Sequence, residues 1–105
     1  MEKSKILIID DDPQITELIA DFCAEVGYDV KTLNDSRLSV ATAKEWNPDL
    51  VTLDLEMPEK DGLDVLRSLR ADPVTRTIPV VIISVVAHEA IISTSDIASP
   101  ADRTL

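Results

Sequence analysis

The sequence predicts an α/β domain, a parallel sheet wrapped by helices. Three apolar runs, Ile6-Leu7-Ile8-Ile9, Leu50-Val51-Thr52-Leu53 and Val80-Val81-Ile82-Ile83, lack the polar–apolar alternation of a half-exposed strand. Such strands are buried on both faces, as happens when helices cover both sides of a parallel sheet. Segments with helical spacing separate them, so strands and helices alternate along the chain. Two of the runs stop at acids: Asp10-Asp11-Asp12 follows the first and Asp54 follows Leu53. The carboxyl ends of parallel strands are where open α/β sheets bind ligands.

Each element has its own local warrant. After the first strand, Asp12 serves as an N-cap with Pro13 at the first helical position, where a missing N–H costs nothing. Ile15, Leu18, Ile19, Phe22, Cys23 and Val26 then recur at helical spacing until Gly27 stops the helix. Cys23 lies on that stripe and reads as inert core. A short strand occupies about residues 28–33, and Asn34-Asp35-Ser36 caps a second helix through about Trp46. Asn47-Pro48-Asp49 breaks that helix and launches the strand at 50–54. After a longer loop, Asp61 caps a third helix bearing Leu63, Leu66 and Leu69 on one face. Residues 72–77 form an exposed connection into the buried strand that ends at Ser84. The order β-α-β-α-β-α-β requires right-handed crossovers. Residues 85–92 open a fourth helix, and 93–105 contain no convincing strand.

Size and composition narrow the function. The 105 residues form one domain, and an aromatic share of 3% makes its core aliphatic. A net charge of -10 argues against a nucleic-acid-binding face. Cys23 is the only cysteine, which excludes an internal disulfide and a thiolate metal cluster. With no signal peptide and no membrane-spanning run, the expectation is a cytoplasmic protein that makes no membrane contact.

The acids suggest the chemistry. Neighbouring parallel strands would bring Asp10, Asp11 and Asp54 to one edge, where three carboxylates repel unless a cation or protons intervene. Taken alone, Asp10 and Asp11 are equally well read as loop residues of an acidic protein. Mg²⁺ needs only one or two carboxylates and a carbonyl beside its waters. Asp11 and Asp54 can bind it directly, and Asp10 can hold a metal-bound water. A carboxylate beside the ion can also attack phosphorus. Ser84, ending the neighbouring strand, offers a hydroxyl at the same edge.

Residues 6–13, the segment Leu50-Val51-Thr52-Leu53-Asp54-Leu55-Glu56-Met57-Pro58 with Asp61-Gly62, and the strand ending in Ser84 together resemble a two-component response-regulator receiver domain. The match covers about the first 85 residues. The resemblance implies a doubly wound, flavodoxin-like sheet ordered 2-1-3-4. Asp54 matches the phosphoacceptor, and Asp11, Asp54 and the backbone carbonyl of Glu56 match the Mg²⁺ ligands. Asp10 matches the acid that holds a metal-bound water, and Ser84 matches the switch hydroxyl. The implied donor is a sensor histidine kinase or histidine phosphotransfer protein, with Gln14 and Thr16 as exposed contact candidates. The domain is expected to be a signalling module rather than an enzyme, reporting to an output domain in a longer parent.

The chain also departs from the family pattern. The usual fifth strand, with its lysine and proline, and the fifth helix are expected to be absent. Lys60 reads as a solvated surface residue, and Val85 is bulkier than the usual small residue after the switch hydroxyl. The intact acids favour a segment of a longer protein over a natural incomplete receiver. An unpaired fourth-strand edge would invite a homodimer. Two other functions are weighed: an interaction scaffold that is never phosphorylated, and a Mg²⁺-dependent aspartyl-phosphate phosphohydrolase. The latter needs an Asp-x-Asp nucleophile motif, which Asp10-Asp11-Asp12 matches only nominally.

Overall fold

The computed structural model describes residues 3–55, 62–83 and 103–104. Its elements run β1 (Lys5–Ile9), α1 (Pro13–Val26), β2 (Asp29–Leu33), a 3-10 turn (Ser36–Leu38), α2 (Ser39–Trp46), β3 (Leu50–Asp54), α3 (Gly62–Ala71), β4 (Val80–Ile83) and β5 (Arg103–Thr104). All strand pairs are parallel, and the sheet order is β2-β1-β3-β4-β5. The expected 2-1-3-4 arrangement is present.

Beside it stands a strand the sequence did not announce. Arg103 and Thr104 pair with Val81 and Ile82 of β4. Two residues are too few to carry an apolar run or a period, so this strand exists through its pairing alone. The expectation of an absent fifth strand is therefore corrected. With it, self-association through a bare β4 edge loses its basis. The predicted fourth helix at 85–92 lies outside the described residues.

Burial explains the apolar runs. In β1, Ile6 to Ile9 are all buried, and in β3 only Leu50 is half-exposed. On one face, Leu7, Ile9, Val51, Leu53, Val80 and Ile82 pack with Ala43 of α2 and Val65, Leu66 and Leu69 of α3. The alternate residues Ile6, Leu50, Thr52, Val81 and Ile83 face α1 instead. Edge strand β2 is mostly exposed, which accounts for its more polar sequence.

The caps of α1 form as expected. Asp12 accepts from the N–H of Gln14 at 2.9 Å, and Gly27 takes φ 115, the left-handed conformation that closes the helix. The second helix begins later than expected. Asp35 caps the 3-10 turn by accepting from the N–H of Arg37 at 3.0 Å, and α2 starts only at Ser39. At the far end of α2, Trp46 lies under Lys5 and Lys31, whose ammonium groups sit 5.5 and 5.7 Å from its ring centre.

The apolar stripe of α1 is only partly core. Leu18 and Phe22 are each 68% exposed, whereas Thr16 is buried. The helix is rolled: Leu18 and Phe22, on one flank of the stripe, face outward, while Thr16, beyond the other flank, is buried. Between α1 and the sheet lies an apolar hollow of about 600 Å³, partly lined by Ile19 and Cys23. Cys23 is half-buried, and burial pushes its thiol pKa up, consistent with an unreactive packing residue.

Candidate functional site

Backbone register builds the site. Ile9 pairs with Leu53, so the residues that follow them, Asp10 and Asp54, emerge side by side. Asp11 comes one residue later, before Asp12 starts α1. One carboxylate oxygen from each of Asp10, Asp11 and Asp54 lies within 4.8 Å of the others. Asp10 and Asp54 are buried and Asp11 is half-buried.

Crowding shows in the electrostatics. The pKa of Asp10 is pushed up to about 6, first by burial and further by the charges of Asp54 and Asp11. The N–H of Asp12 opposes that rise by donating to Asp10 Oδ1 at 3.0 Å. This bond holds one Asp10 oxygen in place and leaves the other for the cluster.

The donor set suits a hard divalent cation. Oxygens bound to Mg²⁺ at about 2.1 Å lie about 3.0 to 4.2 Å apart, and carboxylates within 4.8 Å of one another can close around such an ion. All three acids offer carboxylate oxygens, which favours Mg²⁺, Mn²⁺ or Ca²⁺ over thiophilic metals.

Gly62 fixes the height of Asp54 from below. A Cβ built there would collide with the Asp54 carbonyl oxygen and with Leu55 Cα, so the close approach requires a residue without a side chain. The Gly62 N–H also donates to the Leu55 carbonyl at 3.0 Å, fastening the start of α3 to the end of β3.

The family profile described as "Response regulator receiver domain" matches residues 6–98. The chain belongs to the response-regulator receiver family. Receiver domains of this family act in two-component, phosphorylation-dependent signalling. The chain is 42% identical over 80 residues to the DNA-binding dual master transcriptional regulator RpaA of Synechocystis, covering 76% of this chain and 33% of RpaA. It is 39% identical over 70 residues to the DNA-binding response regulator MtrA of Mycolicibacterium smegmatis, covering 67% of this chain and 31% of MtrA. It thus spans about a third of the length of these relatives. Among solved structures, the BeF3-activated receiver domain of Klebsiella pneumoniae RstA superposes with a TM-score of 0.80 at 28% identity, covering 97% of this chain and 85% of that one.

The structure brings three of the predicted site residues, Asp10, Asp11 and Asp54, into one cluster. Glu56 and Ser84 lie outside the described residues, as do Lys60 and Val85. Gln14 is exposed, as expected of a contact candidate for a partner of the receiver. Thr16 is not. It is 2% exposed, and its hydroxyl donates to the Pro13 carbonyl at 3.1 Å. A threonine in the first turn of a helix can satisfy its hydroxyl on the backbone and turn inward, which helical spacing alone does not reveal. Sequence reasoning also passed over Asn34, whose amide reaches the Asp10 carbonyl at 2.8 Å. The available clue was its position, directly after the strand beside β1. No described helix is long and apolar enough to cross a membrane.

Proposed function

We propose that this receiver domain accepts a phosphoryl group on the Asp54 carboxylate. The observation that carries the reading is the convergence of Asp10, Asp11 and Asp54 within 4.8 Å at the carboxyl edge of the sheet. The donor is a phosphohistidine on a sensor histidine kinase or phosphotransfer protein. An Asp54 carboxylate oxygen attacks phosphorus as the P–N bond to the imidazole breaks, and the departing ring nitrogen takes up a proton.

Mg²⁺ held by Asp11, Asp54 and the Glu56 carbonyl would supply the charge compensation that phosphoryl transfer needs. Asp10 fits the neighbouring role of orienting a bound water, because Asp12 already holds one of its oxygens. Ser84 is assigned the hydroxyl that donates to a phosphoryl oxygen and reports the modification. The BeF3-activated state of the RstA receiver domain supports the reading, since beryllium trifluoride mimics a phosphoryl group. The added charge would bias a two-state element at this edge. The readout then belongs to an output domain in a longer cytoplasmic protein. A domain carrying charge -10 is itself unsuited to nucleic-acid binding.

The test is intact-mass measurement after incubation with acetyl phosphate and Mg²⁺. The parent is expected to gain one phosphate and Asp54→Asn none. A parent that stays unmodified, or an Asp54→Asn variant that is still phosphorylated, would overturn the assignment.

A further inference from the structure

We infer that Asn34 is a positioning residue for the carboxylate cluster, holding the peptide from which Asp11 projects. The inference rests on the metal site proposed above and adds a residue that touches none of its carboxylates. Asn34 directly follows β2, and β2 pairs with β1 so that Leu33 lies beside Ile9. Its amide nitrogen donates to the Asp10 carbonyl at 2.8 Å and to Thr16 Oγ1 at 3.1 Å. The Thr16 hydroxyl spends its own proton on the Pro13 carbonyl, so both partners of the amide are acceptors. That pattern fixes which end of the Asn34 amide faces inward.

Two tethers therefore hold Asp10 to the end of β2. Its N–H donates to the Leu33 carbonyl at 3.1 Å, and its carbonyl receives the Asn34 amide. The Asp10 carbonyl shares a rigid plane with the Asp11 nitrogen. Rotation of that plane would swing Asp11 away from Asp10 and Asp54, and Asn34 is what resists it. Helix capping does not explain the residue, because Asp35 caps the following turn through Arg37. Asn34 is itself exposed, so its replacement leaves the core untouched.

Mn²⁺ binding, followed by the electron paramagnetic resonance of the free ion, tests the inference without any phosphorylation. Asn34→Ala is expected to bind Mn²⁺ about tenfold more weakly than the parent, as is usual when a group supporting a metal ligand is lost. Asp35→Ala is the control: it removes a neighbouring cap and lowers the melting temperature, yet should keep the parent's Mn²⁺ affinity. If Asn34→Ala fails to fold, Thr16→Ser, which keeps the hydroxyl, should bind like the parent, and Thr16→Val should not. Parent-like binding by Asn34→Ala, an equal loss in Asp35→Ala, or equal affinities for the two Thr16 variants would overturn the inference alone. A parent that binds no Mn²⁺ would overturn the metal site, and this inference with it.

Discussion

On the face of the sheet covered by α2 and α3, Leu53, Leu66, Leu69 and Ile82 are buried to within 1% of complete. On the face covered by α1, Leu18 and Phe22 each remain 68% exposed beside an apolar hollow. Both faces derive from the same strands by simple alternation, so strand sequence does not distinguish them. The helices do. Leu66 and Leu69 of α3 point straight into the core, whereas α1 is rolled so that one flank of its apolar stripe faces outward and Thr16, beyond the other flank, is buried. The first face supplies stability, and Asp54, in phase with Leu50 and Thr52, ends β3 on the second.

The largest effect should come from the tightly packed face. Leu66→Ala is expected to cost about 3 kcal/mol in urea unfolding, the usual result of opening a cavity in a packed core. A cost near zero would mean that this face is no better packed than the other.

Charge at the carboxylate edge should give the next effect. Folded Asp10 binds its proton up to about pH 6, above the ordinary aspartate value of 3.8 that serves for the unfolded chain. Between those values the folded state holds more protons than the unfolded one, so apo stability falls as pH rises through the window. The loss should reach at most about 3 kcal/mol and vanish in Asp10→Asn, measured by urea unfolding at a series of pH values without divalent cations. A rising or flat profile in the parent would contradict the crowding of the cluster.

The smallest effect belongs to the loosely packed face. Phe22→Ser should change stability by no more than about 0.5 kcal/mol, as for other exposed positions. A loss comparable to that of Leu66→Ala would show that the hollow is covered in solution and erase the contrast.

Much of this architecture was legible in advance, for identifiable reasons. Residues 6–9 and 50–53 lie in strands buried on both sides, and that condition leaves an unmistakable apolar run. Asp12-Pro13 and Gly27 mark the ends of α1 because their backbone chemistry permits little else. Asp10, Asp11 and Asp54 could be brought together because parallel strands in register align their carboxyl ends. Other features depend on partners distant in sequence. Arg103 and Thr104 form a strand only because β4 offers free hydrogen-bonding groups. The roll of α1 is decided by which of its neighbours fill space, and the hydroxyl of Thr16 turned inward on the backbone. Asn34 looked like a capping residue, since caps and cross-strand tethers draw on the same amide chemistry. Asp35 took the cap and left Asn34 for the acids.

Trp46, the only tryptophan, has a consequence for spectroscopy. Its backbone carbonyl accepts from the Lys5 ammonium at 3.1 Å, and that lysine opens β1, whereas the carboxylates follow the last residue of β1. The two ends of the strand stand about 13 Å apart. Indole emission therefore senses the lysine-flanked corner of α2 and is blind to an ion arriving among the acids. Any change in emission on adding Mg²⁺ would signify that the strand between them had moved.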